Sequence, residues 1–417
     1  MSTTFVLICT KYPYLGGETF IHNEVETLAS MGHKVLVYPI STHESDNSTA
    51  LNNINHNVVV RNMFLGDVKY KRVSKVIRQL FLKDTWQELR KSVHEGENTI
   101  RKFLYVLLYE IQIKSVYDSI IDDIRSYVNT DERICFYSYW MHNHAAVALR
   151  LKAQYKNSIF ISRAHGYDLY DYRAPQNYLP ERNKILERAD KVFTISKDGK
   201  DYLETRYPYT RHKVEVAYLG TKDYGLSKNN RNHDTYRIIS CSNLVPVKRV
   251  DLIIDAISLI REHDIEWIHF GDGSLLQQLK NRASEKLSDN IKYHFTGHVD
   301  NIDILNVYKC QGADLFINVS ESEGLPVSIM EAMSFGIPAI ATNVGGTGEI
   351  VETDYNGWLL DKNFDIDELA RMIENAINLP NDIRMAMSKN ARSKWESNYI
   401  TDKNTKKFEE TVEQLFK

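Results

Sequence analysis

The chain has 417 residues, 43% of them hydrophobic and 26% charged, with a formal net charge of −3. That length exceeds one ordinary core and predicts two domains, while the near-neutral balance excludes wholesale nucleic-acid binding. No stretch reaches the about 18 apolar residues of a membrane span, and the opening MSTTFVLICTKY lacks a basic n-region, so a cytoplasmic location is expected. Cys9, Cys135, Cys241 and Cys310 show no CxxC pairing and read as free thiols, most of them buried in strand-like runs in a reducing compartment.

Phe5 to Cys9 is a first strand, followed by a turn through Gly16 and Gly17, a helix from about Glu18 to Ala29, and a second strand from His33 to Ile40. This βαβ opening puts Gly16-Gly17 at a strand's carboxyl end, where the missing Cβ lets backbone approach a phosphate or an acceptor. Residues 41–57 are polar and form a loop, and from 61 to about 126 the pattern is that of a helical insertion. Within it, 69–81 sets Val73, Val76, Ile77 and Leu80 on one face among five basic residues. It reads either as a solvated helix packed on the domain or as a peripheral membrane contact with anionic lipid headgroups.

Strands from Arg133 to Trp140 and from Ile159 to Arg163 each run into histidine-bearing sequence. His142 and His144 stand two apart, a poor spacing for one helix face, and no Cys or Glu completes a ligand set, so no metal site is expected. His165-Gly166-Tyr167-Asp168, at a strand's carboxyl end, is a substrate contact or a hydrogen-bonded structural histidine. Lys191–Ser196 and Val214–Gly220 close this half, and residues 221–235 are polar enough for a linker. The expected domains are 1–222 and 233–396, with a last helix at about 398–417 that folds back on the first.

The second half alternates strand and helix, the signature of a doubly wound parallel α/β sheet. Tyr236–Ser242 precedes the loop Asn243 to Arg249 and a helix from about Val250 to Arg261. Trp267–Phe270 ends in Gly271-Asp272-Gly273, and Ile291–Phe295 in Thr296-Gly297-His298-Val299. Then come a buried strand, Asp314–Val319, an acidic turn through Glu323, Gly324 and Leu325, Pro326 as first helical residue, a helix to Phe335, and the strand Pro338–Val344 before Gly345-Gly346. Bare N–H groups at that helix start suit a phosphate. Glu323 and Glu331, seven residues between them, can only accept hydrogen bonds, and sugar hydroxyls donate them. A nucleotide diphosphate sugar satisfies both demands, and Lys248 with Arg249, in a loop on the same sheet edge, would balance the diphosphate.

Glu323-Gly324-Leu325-Pro326 running on to Glu331-Ala332-Met333 resembles the E-x7-E motif of the retaining glycosyltransferases of family 4. Lys248, Gly271-Asp272-Gly273, Gly297, Gly345-Gly346 and Gly16-Gly17 support it over nearly the whole length, and the opening YPYLGGETFIHNEV is most similar to the branch that builds bacterial surface polysaccharides. The resemblance implies a GT-B fold, two Rossmann-like domains facing a cleft, and transfer of a hexose-type sugar with retention to a glycan or lipid-linked glycan. By frequency in the family it implies a UDP-sugar, with no metal or other cofactor. It further implies that Lys248 holds the diphosphate, Glu331 the ribose, and Glu323 with the Gly324 and Leu325 amides the transferred sugar. His298 and Val299 would lie by the base, Gly271 and Gly273 in the donor site, His165 near the reaction centre, and Gly17 near phosphates or acceptor. Where the family has arginine, this chain has Asn243, so Arg249 is the candidate second cation. A sugar-nucleotide epimerase or phosphorylase on the same fold, or a non-catalytic binding partner, are the rival readings.

Overall fold

The computed structural model describes residues 2–14, 18, 20–43, 45–46, 54–63, 99–129, 131–227 and 235–417. Gly16, Gly17 and the segment 69–81 lie outside the described residues. The chain divides into two compact units, Met1–Ala217 with Thr405–Lys417, and Tyr218–Asn404.

Among the described residues, unit 1 holds seven parallel strands in the order β3-β2-β1-β4-β5-β6-β7. They are β1 (Thr4–Cys9), β2 (Lys34–Pro39), β3 (Val58–Val60), β4 (Ile134–Ser138), β5 (Ser158–Ala164), β6 (Lys191–Thr194) and β7 (Val214–Val216). All six residues of β1, TFVLIC, are buried, as expected of a parallel strand covered on both faces. Its side chains alternate between two cores: Val6 and Ile8 join one with Ile113, Ile120 and Ile124 of the helix Thr99–Tyr127. Phe5 and Leu7 join the other with Phe408 and Val412 of the helix Thr401–Gln414. The same helix ties to the residues just ahead of β1 and β2 by polar contacts. Glu413 accepts from Thr3 Oγ1 at 2.6 Å and Glu409 pairs with His33 Nε2 at 3.1 Å. His33 Nδ1 accepts the Thr3 N–H, so Nε2 carries the proton shared with Glu409. That tautomer makes the His33–Glu409–Glu413 cluster a hydrogen-bonded clamp, with no ring lone pair left for a cation.

Among the described residues, unit 2 has six parallel strands in the order β10-β9-β8-β11-β12-β13. These are β8 (Tyr236–Cys241), β9 (Ile265–Phe270), β10 (Ile291–Phe295), β11 (Leu315–Asn318), β12 (Ala339–Thr342) and β13 (Gly357–Leu360). β3 and β13 carry no expectation from the sequence; at three and four residues they are too short to show a period. No described helix is long and apolar enough to cross a membrane.

Four expectations shift. The first helix begins at Ile21, not Glu18, because the Glu18 carboxylate turns back to accept the N–H groups of Thr10, Lys11 and Tyr12. Pro326 is the N-cap with an extended ψ of 103°, and the helix starts at Val327. The units divide at 217/218 rather than near 222, since Tyr218 bonds to Glu349 and Thr221 to Trp395 and, as a bridge, to Ile400. Thr221 is thereby part of unit 2, not of a free linker. Among the cysteines, Cys9 and Cys135 are buried, Cys241 is intermediate and Cys310 exposed.

Candidate functional site

In unit 2 the strand order reverses between β8 and β11, and loops leaving the carboxyl ends of two such strands part to open a crevice. The β8 loop ends in a 3-10 turn, Pro246–Lys248, and the Val247 carbonyl accepts the Glu321 N–H at 2.8 Å, which locks the two loops together. Lys248 Nζ lies 2.6 Å from Glu323 Oε1, and Asn318 Nδ2 donates to the same oxygen at 3.2 Å. The helix Val327–Ser334 has no side chain capping its start, so its leading amides are available to an anion.

Glycine is essential in the brace behind Glu323. Gly345 has φ +55°, and a Cβ there would stand 2.1 Å from the Glu323 carbonyl; Gly346 N–H donates to Gly324 O at 2.7 Å. Gly271 and Gly273 serve similarly, since a Cβ would stand 2.0 Å from Ser242 O or 2.4 Å from Leu244 O. These contacts are backbone against backbone, so both glycines shape the β8 loop.

Arg249 sits at φ +48°, and its guanidinium donates to three carbonyls: Val319 at 2.7 Å, Lys362 at 2.9 Å and Ser320 at 3.3 Å. It also lies over the Phe364 ring at 5.2 Å. The structure therefore uses Arg249 to tie off the carboxyl end of β11. Asn243 is exposed in the same loop.

Glu331 is buried one turn into its helix, and Asn301 Nδ2 donates to it at 2.8 Å. Burial pushes its carboxyl up to about 7, against the lowering pull of Asn301. The Cys241 thiol, at the end of β8, is pushed up to about 12 by burial first and then by the Glu331 charge, with Lys248 opposing. One thiol thus feels both groups. His298 is exposed, its Nε2 3.9 Å from Asp300, and Val299 is half-buried beside it. Asn301 was not singled out from sequence; its signal is its position as first residue of the helix following the His298 loop.

In unit 1, His165 follows β5 and is 6% exposed. Its ring stacks on Tyr139 at 4.9 Å and lies 4.3 Å from Trp140. Asp168 accepts the N–H groups of Met141, His165 and Gly166. Burial alone would raise its carboxyl, but His165, 3.6 Å away, and these amides hold it at about 2. His142 and His144 do not form a ligand pair: His142 Nε2 meets Tyr105 OH at 3.0 Å and His144 Nε2 meets Thr10 Oγ1 at 3.2 Å. Burial lowers both to about 4.

Residues 225–394 match the family described as glycosyl transferases group 1. Over 418 aligned residues the chain is 24% identical to WcaL of Escherichia coli K12, which carries the name of a colanic acid biosynthesis glycosyltransferase, and 96% of each chain is covered. Sucrose-phosphate synthase from Thermosynechococcus elongatus is similar with a TM-score of 0.74 at 17% identity, over 99% of both chains. HepE of Anabaena, solved in complex with UDP, gives a TM-score of 0.66 at 15% identity, over 99% of this chain and 100% of the other. These likenesses show the fold, two Rossmann-like α/β units of the GT-B kind.

Proposed function

We propose that this chain, whose residues 225–394 match the family of group 1 glycosyl transferases, moves a hexose-type sugar from a UDP-sugar to a glycan or lipid-linked glycan in bacterial surface polysaccharide synthesis, with retention of configuration. The observation that carries the reading is the Lys248–Glu323 contact of 2.6 Å at the carboxyl edge of β8 and β11. It sets a cation for the diphosphate beside an acceptor for sugar hydroxyls. The WcaL likeness supports the polysaccharide context, and the UDP bound by HepE supports the base.

The chemistry follows from charge. Breaking the anomeric C–O bond leaves negative charge on the diphosphate and cationic character on the sugar. Lys248 and the uncapped amides ahead of Val327 stabilise the first. Glu323, with the Gly324 and Leu325 amides, orients the sugar, and Glu331 accepts the ribose hydroxyls. His298 and Val299 flank the base. His165 is a substrate contact in unit 1. For retention, the acceptor hydroxyl attacks on the face the diphosphate leaves, and the departing phosphate oxygen takes its proton. Nothing in this scheme calls for a divalent ion.

The test is a thermal-shift screen of nucleotide sugars against the matching free nucleotides, followed by donor turnover on the best of them. UDP and a UDP-sugar should raise Tm, and turnover should survive EDTA. Stabilisation by GDP compounds alone would replace the donor assignment, and loss of turnover in EDTA would refute the metal-free scheme.

A further inference from the structure

Unit 1 has its own reversal of strand order, between β1 and β4, and ligands of open α/β sheets bind at such points. The loops leaving there carry Glu18 and Trp140. Trp140 Nε1–H donates to the Glu18 carboxylate, which also accepts the Thr10, Lys11 and Tyr12 amides at 3.0, 2.6 and 2.9 Å. Both carboxylate oxygens are thereby filled. These donors outweigh the effect of burial and hold Glu18 below the ordinary carboxylate range. Glu18 therefore fixes the plane of the Trp140 indole and occupies the amide nest that would otherwise attract a phosphate.

Trp140 lies 5.0 Å from Tyr167 at 33°, and Tyr167, large and aromatic, is 44% exposed. Behind them His165 is buried, its Nδ1 3.6 Å from the Asp168 carboxylate and its Nε2 without a hydrogen-bond partner among the described residues, a demand that a ligand can fill. The cations named here are paired or buried: Lys11 pairs with Asp46, Arg163 is buried against Glu24, and the buried Arg182 donates to the Asp168 carbonyl. The neighbouring His142 and His144 are neutral at pH 7. An aromatic face flanked by paired or buried cations suits an uncharged, hydroxyl-rich ring better than an anion.

We propose that Trp140 and Tyr167 form a stacking platform for a neutral pyranose ring of the acceptor, with His165 as hydrogen-bonding partner of its hydroxyls and Glu18 as the residue that positions Trp140. This rests on the glycosyltransferase reading, and names the acceptor's chemical class and its residues in unit 1.

The experiment is ligand-observed saturation-transfer NMR on the full chain with methyl α-glucopyranoside, methyl β-galactopyranoside and N-acetylglucosamine, paired with UDP calorimetry on the same samples. At least one glycoside should receive saturation from the wild type. Tyr167→Ala should weaken that glycoside about tenfold and leave UDP affinity unchanged. Trp140→Phe keeps the ring and drops the N–H, and should retain part of the binding. Glu18→Gln should shift the Trp140 indole N–H resonance and weaken the glycoside without moving UDP affinity. Absence of saturation for all three sugars in the wild type overturns the platform, as does an unchanged signal in Tyr167→Ala. A parallel fall in UDP affinity in Tyr167→Ala would give the platform to the nucleobase instead. Failure of the glycosyltransferase reading shows separately, as UDP binding indifferent to Lys248→Ala.

Discussion

Lys248 and Glu323, 75 residues apart in sequence, meet at 2.6 Å where the β8 and β11 loops diverge. On the proposed function, a diphosphate drawn to Lys248 would compete with Glu323 for it, and a sugar hydroxyl donated to Glu323 would compensate the acid for what it loses. Nucleotide and sugar would then be bound jointly. Removing Lys248 deletes a charge-assisted contact of about 1.5–3 kcal/mol, so Lys248→Ala should weaken UDP binding roughly 10- to 150-fold. Glu323→Ala should leave UDP affinity within a few-fold and abolish transfer. Calorimetry and donor turnover on the two variants check the division, and a Glu323→Ala protein that turns over donor at the wild-type rate would sink the assignment.

Glu331 predicts a pH dependence. Burial raises its carboxyl from 4.5 to about 7 in the folded chain. The protonated form is favoured by folding, so its contribution to stability is full below about pH 4.5 and is lost as pH rises through about 7. On the proposed function, ribose hydroxyls would donate to the carboxylate and favour the charged form. Binding should therefore release a proton at and below about pH 7, and UDP affinity should fall as pH drops toward 5. Calorimetry in two buffers of different ionisation enthalpy measures the proton, and Glu331→Gln should flatten the profile.

Arg249 is expected to matter for stability more than for nucleotide binding. Arg249→Ala leaves the carbonyls of Val319, Ser320 and Lys362 without their donor. The half-buried site limits the cost to about 1–3 kcal/mol. A lowered Tm with UDP affinity within about threefold of wild type is the expected pair of readings. A large loss of affinity at unchanged Tm would restore Arg249 as the second diphosphate cation.

Asp168 ties β4 and β5 loops together through three amides. Its carboxyl sits at about 2 against an ordinary 3.8. The depressed value stabilises the fold by about 2 kcal/mol above pH 3.8, a contribution lost as pH falls toward about 2. Asp168→Ala leaves buried amides unpaired and should cost about 2–4 kcal/mol. Urea unfolding at pH 7 measures it, and the wild-type minus variant difference should shrink in acid.

Gly345→Ala should distort the turn that carries Glu323. Its φ is +55°, and the new Cβ would meet the Glu323 carbonyl at 2.1 Å. Something must move, and the obstacle is backbone. Donor turnover should fall by about tenfold or more, with a lowered Tm. Normal turnover in this variant would mean that the turn's geometry is not needed for the reaction.

The alternation of strand and helix, the short buried run of β11 and the Glu323–Glu331 spacing were legible because each depends on neighbours a few residues apart. Hydrophobic period, turn glycines and a helix-start proline are local chemistry, and they fixed the α/β class and most strands. What the sequence could not decide was where a side chain spends its hydrogen bonds. Arg249 reads in the sequence as a ligand cation, and its guanidinium donates to carbonyls 70 and 113 residues away. Glu18 looked like the start of a helix and instead reaches back to the end of β1 and across to Trp140, 122 residues on. Asn301 shows its hold on Glu331 in the sequence only through its place at the head of the helix after the His298 loop. Those partners are chosen by sheet order, which sets β8 beside β11 and β1 beside β4, and neighbours created by strand pairing leave no periodic trace along the chain.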